Sequence, residues 1–84
     1  MDPTVSKKKA CFPIRVVMEM TSLTARQIRY YEEQGLIKPV RNEGNQRMFS
    51  LEDIERFRLI KSYIEQGINV AGIKTILAAN VQGV

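Results

Sequence analysis

The segment that most restricts the fold runs Thr24-Ala25-Arg26-Gln27-Ile28-Arg29-Tyr30-Tyr31-Glu32-Glu33-Gln34 and is closed by Gly35. It carries the start and stop signals of one short helix. Thr24 followed by Gln27 has capping-box spacing, so a side-chain oxygen and a side-chain amide can each satisfy an orphan backbone donor. Gly35 supplies the permissive φ that a chain leaving a helix needs. Between these ends the faces separate. Ala25, Ile28 and Tyr31 recur at helical spacing and point inward, whereas Arg26, Arg29 and Tyr30 share another face. Two guanidinium groups and a phenol on one exposed helical face suit phosphates and base edges. A solvated helix with ordinary surface charge has the same pattern.

The flanks narrow that choice. Phe12-Pro13-Ile14 opens the first ordered element, and Ile14, Val17, Met18 and Met20 form an apolar stripe that predicts a helix from about residue 13 to 20. Pro13 fits its first turn, where a missing N–H costs little. Thr21-Ser22-Leu23 is then a tight turn into the capped helix, with Ser22 where glycine would be easier. Two short helices so joined, the second basic on its outer face, form a helix-turn-helix signature.

Beyond Gly35 the pattern changes. Leu36–Arg41 and Gln46–Phe49 are short segments on either side of the turn residues Asn42-Glu43-Gly44-Asn45. They read as a two-stranded wing or as a plain surface loop. Pro39 restricts its segment to an edge, and Lys38, Arg41 and Arg47 would make a wing positive. Ser50 then caps a helix with Glu52 and Asp53 in its first turn. Leu51, Ile54, Phe57, Ile60 and Ile64 run along one face, Leu59 and Tyr63 widen it, and Gly67 ends it. Asn69 caps a last helix striped by Val70, Ile73, Ile76 and Leu77. These stripes read as core. Arg56, Arg58 and Lys61 are balanced by Glu52, Asp53, Glu55 and Glu65, so this half reads as scaffold. The expected architecture is mainly α: a winged helix-turn-helix with a short two-stranded β wing and two further helices.

Composition sets the outer bounds. Eighty-four residues make one small domain, and 13 Lys and Arg against 9 Asp and Glu leave a net charge of +4. That imbalance favours an anionic partner, nucleic acid first, or simply a basic surface. The chain has no histidine and a single cysteine, Cys11. An internal disulfide is therefore impossible, while a zinc site, a nucleophile–His pair and imidazole acid–base chemistry are excluded or nearly so. Neither an enzyme nor a cofactor is expected, and Cys11 reads as a small buried or half-buried apolar residue. No apolar run approaches the ~20 residues of a spanning helix, and the basic start lacks a signal-peptide core, so a cytoplasmic protein without a membrane partner is expected. Residues 1–11, with Lys7-Lys8-Lys9, are a frayed terminus or a flexible basic arm that attracts DNA. Residues 12–80 form the domain, and 81–84 are a C-terminal end.

The run Arg29-Tyr30-Tyr31-Glu32, then Gly35-Leu36-Ile37 with Pro39 soon after, then Arg47 and Phe49-Ser50, resembles the MerR family of bacterial transcription regulators. The likeness covers about residues 12 to 80. Phe12-Pro13-Ile14, Ala25–Glu32 and Arg41-Asn42-Glu43-Gly44-Asn45 are similar to the nitrogen-regulator branch, the wing tip lying nearer its glutamine-synthetase repressors. The resemblance implies a dimer on an inverted-repeat operator, with the helix Thr24–Gln34 in the major groove and the wing along phosphates or in the minor groove. Carried onto matching positions, Arg29 and Tyr30 would contact phosphates and Tyr31 would be core. Arg26 and Gln27 would face base edges beside Thr24, and Arg47 would contact the backbone or minor groove. Lys38, Arg41 and Asn45 complete the expected DNA surface. The implied protein is a nucleoid-associated regulator, expected to be a repressor, of nitrogen-assimilation and glutamine-synthetase genes.

Four features depart from the family. Asn45-Gln46-Arg47 replaces a common Gly-Tyr-Arg triplet, and Phe49 stands where tyrosine is frequent. The long dimerisation helix and the effector domain have no counterpart before Val84. The branch shares the lack of a long helix and carries a C-terminal tail that engages glutamine synthetase; that tail is expected to be missing here. Dimerisation must then use another surface. Phe12 exceeds what so short an element can bury alone, so Cys11, Phe12 and Ile14 are the expected dimer contact, with Val70–Leu77 as competitor. Two other functions remain open: an architectural DNA-binding factor of the phage-excisionase type, and a protein-interaction module using the 51–64 stripe.

Overall fold

A computed structural model describes residues 7–82, with side chains as far as Ala79; the rest of the expected arm, residues 1–6, and the last two residues lie outside it. Strand β1 (Phe12–Pro13) leads into helix α1 (Ile14–Thr21), and α2 (Ala25–Glu33) follows after a tight turn. Strands β2 (Val40–Arg41) and β3 (Arg47–Phe49) form the wing, before α3 (Leu51–Glu65) and α4 (Val70–Gln82). Both strands of the wing are present, and a third joins them. The sheet order is β1-β3-β2, antiparallel throughout, with Phe12 opposite Phe49 and Val40 opposite Met48.

The additional strand moves Pro13 out of the first helical turn. Pro13 is the residue before α1, extended at φ −73° and ψ 166°, and it sits on an outer strand where its missing N–H leaves no ladder bond unmade. The adjoining Cys11 N–H instead donates to the Phe49 carbonyl at 3.0 Å. Two residues are too few for any alternation of apolar and polar side chains, so no periodic signal announces β1. Cys11 itself is exposed, not the buried or half-buried apolar residue expected.

The core gathers one face of every helix. Val17 of α1, Ile28 and Tyr31 of α2, Ile54, Phe57 and Ile60 of α3, and Ile73 and Leu77 of α4 are buried together with Leu36, Ile37 and Phe49. Leu36 and Ile37 are thus core plugs rather than strand residues, which is why β2 begins only at Val40. Two members of the α3 stripe are corrected. Leu59 is 44% exposed and Ile64 39% exposed. Leu59 lies roughly 200° around the helix from Phe57, on the far side, and Ile64 falls in the last turn beyond the packed neighbours. Since the buried positions of α3 are enclosed by the chain's own core, that stripe does not offer a free protein-interaction face.

The cations of α3 are not neutralised by the acids beside them, as composition had suggested. Arg58 Nη2 donates to the Met20 carbonyl at 3.2 Å, Lys61 Nζ to the Thr21 carbonyl at 3.1 Å, and Arg56 Nε to the Leu36 carbonyl at 2.8 Å. The last carbonyls of α1 have no partner within their own helix and carry the negative end of its dipole, so cations are their natural ligands. The acids have other work. Asp53 completes a capping box with Ser50, and Glu55 pairs with Lys7 at 3.4 Å. The Lys7 carbonyl also accepts from the Glu52 N–H at 2.9 Å, anchoring the start of the described chain on α3.

The turn between α1 and α2 contains one strained residue. Ser22 lies in the left-handed region at φ 62°, donating its N–H to the Met18 carbonyl at 2.8 Å. A residue with a Cβ is strained there by about 1–2 kcal/mol, and glycine in exchange loses about 0.5–1 kcal/mol more chain entropy on folding. Ser22→Gly should therefore raise stability by about 0.5–1 kcal/mol. Urea unfolding of the two proteins reads this as a shifted midpoint at constant slope.

Candidate nucleic-acid interface

Helix α2 is held at both ends as its sequence requires. Gln27 N–H donates to Thr24 Oγ1 at 3.1 Å, and the Thr24 N–H donates to Gln27 Oε1 at 2.9 Å, closing the capping box. Gly35 follows at φ 81°. Ile28 and Tyr31 are buried, which turns Arg26, Arg29 and Tyr30 outward. Tyr30 is 45% exposed and its ring lies 5.7 Å from that of Tyr31, so its position rests on a buried neighbour. Burial, reinforced by the nearby Tyr30, raises the Tyr31 pKa above the usual value of 10.0 and keeps this phenol neutral. Tyr31 is a core residue.

The cap also decides what Gln27 can offer. Its Oε1 accepts from the Thr24 N–H and, at 3.3 Å, from the Thr24 hydroxyl. Both lone pairs are occupied, so the NH₂ end is what this exposed side chain can direct outward. Gln27 in this state is a donor toward acceptors on a ligand. Bidentate pairing with an adenine edge, which needs the same oxygen, would break the cap.

The wing is shaped by its two asparagines. Asn42 Oδ1 accepts from the Gln46 N–H at 2.9 Å, and its carbonyl accepts from the Asn45 N–H at 2.9 Å. Asn45, not Gly44, takes the left-handed position at φ 64°. This is the common hairpin solution of a turn followed by one left-handed residue, which asparagine tolerates. Arg41 Nη1 donates to the Asn45 carbonyl at 2.8 Å, tying the tip to β2. Arg47, opposite Arg41 in the ladder, donates from Nε to Glu32 Oε1 of α2 at 2.6 Å. Arg47, which the resemblance placed on DNA, thus forms a half-buried ion pair with the helix beside it.

These elements border an open groove of about 220 Å³ lined by Pro13, Ile14, Arg29, Arg41, Asn45, Gln46 and Arg47. The three arginines come from α2, β2 and β3. Thr24, Arg26, Gln27, Arg29 and Tyr30 are exposed on α2, with Lys38, Arg41 and Asn45 exposed beside the wing. Among the described residues the side chains of Arg26, Arg29 and Lys38 take part in no internal hydrogen bond or ion pair. Pro13, Ile14 and Gln46 line the groove without having been expected on the DNA surface; nothing in the spacing of Gln46 distinguishes it from any other polar turn residue. Of the expected dimer residues, Ile14 lines this groove, while Cys11 and Phe12 do not. Phe12 and Ile14 are half-buried and packed against the chain's own core, and Phe12 faces Phe49 across the sheet. The premise that Phe12 lacks an intramolecular destination therefore does not hold.

Among the described residues no group of three or more His, Cys, Asp or Glu is placed to hold a metal ion. Likewise no described helix is long and apolar enough to cross a membrane.

Comparison with known proteins agrees with this geometry. Residues 12–80 match the family described as MerR HTH family regulatory protein. The transcriptional regulator GlnR of Bacillus anthracis is 53% identical over 66 residues, covering 79% of this chain and 51% of its own length. TnrA of Bacillus subtilis is 43% identical over 67 residues, covering 80% of this chain and 61% of its own. The chain thus spans about half the length of the GlnR proteins it matches. A solved structure of HiNmlR, a MerR family regulator lacking the sensor domain and bound to promoter DNA, superposes with a TM-score of 0.80. That likeness, at 22% identity over 87% of this chain and 56% of the other, establishes the fold.

The capping box yields a prediction that separates its two halves. Gln27→Glu keeps an acceptor for the Thr24 N–H and places negative charge in the first turn, so stability should be equal or slightly higher. Gln27→Ala removes the acceptor and should cost about 0.5–1 kcal/mol. Thermal melting of both variants checks this; equal losses would mean that the cap is not formed in solution.

Proposed function

The chain belongs to the MerR family of helix-turn-helix regulatory proteins, on the branch nearer GlnR than TnrA, and from that premise we propose that it binds a double-stranded DNA operator as a two-fold dimer. It is not an enzyme. In this reading it is a cytoplasmic, nucleoid-associated repressor of nitrogen-assimilation genes, including those for glutamine synthetase. A C-terminal tail of the kind found in that branch would carry contact with glutamine synthetase itself.

One observation supports DNA above other partners. The α3 cations Arg56, Arg58 and Lys61 are engaged with main-chain carbonyls, while the side chains of Arg26, Arg29 and Lys38 beside one another on the α2–wing side have no internal partner among the described residues. Three such cations together, beside a capped helix of the right width for a major groove, suit a polyanionic duplex. Thr24, Arg26 and Gln27 lie in the first turn and take the base-facing role. Arg29 and Tyr30 take phosphates, and Lys38, Arg41, Asn45 and Arg47 follow the backbone beside the wing. Selection of bound fragments from random DNA tests the reading. A palindrome supports it, direct repeats would favour an architectural factor, and no enrichment would refute DNA recognition.

Positioning and reading should separate by mutation. Arg29→Ala should weaken binding to all sequences and flatten the salt dependence by about one phosphate. Arg26→Ala should relax preference at one base pair per half-site, since a bidentate arginine–guanine contact provides roughly 1–3 kcal/mol of discrimination. Equal losses on cognate and random DNA for Arg26→Ala would remove it from the reading set.

The size of the module supports the dimer reading. The described module measures 38 × 31 × 20 Å and contains one such helix. Two recognition helices on one face of DNA must lie about one turn, ~34 Å, apart, so a second copy is required. We assign the contact to Cys11 with the solvent-facing parts of Phe12 and Ile14. Phe12→Ala should reduce binding to a full palindrome markedly while leaving a single half-site nearly unchanged in gel-shift titration. Because Phe12 also packs internally, a melting curve accompanies the test; equal loss on both DNAs would place the contact elsewhere.

A further inference from the structure

Glu32 is an acid on a surface that would face a polyanion. It lies three residues after Arg29, close enough along α2 to share its side of the helix. A carboxylate there repels phosphates, and simple electrostatics would favour any neutral residue in its place. Its contact gives it a reason to be there. Glu32 Oε1 accepts from Arg47 Nε at 2.6 Å, the two side chains being 25% and 27% exposed. Among the described residues no other hydrogen bond or ion pair joins α2 to the hairpin. Arg47 stands opposite Arg41 in the ladder, and directly opposed like charges destabilise a strand pair. Arg29 approaches the same groove from the helix side, so three guanidinium groups line it. Glu32 offsets that repulsion and uses only one edge of the Arg47 fork. The Nη donors make no hydrogen bond to another described residue.

We propose that Glu32 is a positioning residue for DNA recognition: by holding Arg47 Nε it moors the wing to α2, so that helix and wing meet the duplex as one preformed surface. The proposal rests on the DNA-binding reading above. Ordering the hairpin before the encounter lowers the entropy lost on binding, and the carboxylate's repulsion is the smaller effect.

The two effects predict opposite signs, which makes the test direct. Wild type, Glu32→Ala, Glu32→Gln, Arg47→Ala and the Glu32/Arg47 double alanine are titrated on the selected operator. Removing a carboxylate that only repels DNA should raise affinity. Removing a mooring should lower it, on the order of tenfold for Glu32→Ala, with Glu32→Gln between because its amide oxygen still accepts from Nε. The double alanine should bind no more weakly than the sum of the single effects, and measurably more tightly than that sum. Hydroxyl-radical footprints should lose protection where the wing lies and retain it over the major-groove contact. If Glu32→Ala does not fold, Glu32→Gln fills the same space and must show the same sign. Affinity equal to or above wild type, or additive losses, would overturn the proposal. Wild-type protein that selects no DNA would instead overturn the reading beneath it.

Discussion

The contact on which the rest of this structure depends is the stacking of three rings around Phe57. Phe57 of α3 lies 5.7 Å from Phe49 of β3, edge to face, and 6.5 Å from Tyr31 of α2. One buried side chain thereby touches the scaffold, the wing and the basic helix. Aromatic pairs in such geometry contribute about 0.5–1.5 kcal/mol beyond the area they bury, and a cavity at Phe57 would loosen all three elements together. Phe49 completes the arrangement by facing Phe12 across the sheet. The replacement of a frequent tyrosine by Phe49 fits this setting, because a fully buried ring at 0% exposure has no water for a hydroxyl.

Around that centre, charge is sorted by whether the backbone needs it. The C-terminal carbonyls of α1 and the Leu36 carbonyl require donors, and α3 supplies Arg58, Lys61 and Arg56. Two of these bonds join α3 to the end of α1 and the third joins it to the loop after α2, tying the helix-turn-helix to its scaffold. What remains outside is a face of cations that the fold itself does not need. Folding and binding therefore draw on partly different residues, with Thr24, Gln27, Arg41 and Arg47 serving the fold while standing on the proposed binding face. The Arg47 Nε is structural, and its Nη atoms make no hydrogen bond to another described residue.

Much of this arrangement is legible in the sequence because it rests on local chemistry. Thr24 with Gln27, and Ser50 with Asp53, are caps whose partners lie three residues away, and both boxes form. Gly35 and Gly67 take positive φ where the chain leaves a helix, and Asn69 Oδ1 accepts from Gly72 N–H at 2.8 Å to start the last one. The separation of Ile28 and Tyr31 from Arg26, Arg29 and Tyr30 follows from 3.6-residue periodicity alone. The motif order from Arg29-Tyr30-Tyr31-Glu32 to Phe49-Ser50 was enough to indicate the family.

The rest depended on pairs distant in the chain. Strand β1 exists because β3 offers an edge for Phe12 and Pro13, and no window around residue 12 contains that edge. Leu59 and Ile64 look like core by composition, yet they meet water because of where the neighbouring helices stop. Arg47 and Glu32 are fifteen residues apart and become partners only when the hairpin folds back on α2. The sequence by itself therefore determined the helices, their caps, the turn chemistry and the outward basic face, since each is governed by contacts within a few residues. Tertiary structure decided which cations stay available, where Phe12 goes and how the wing is held. Those outcomes depend on which carbonyl, ring or carboxylate a folded chain brings within reach, and short-range patterns carry no record of that.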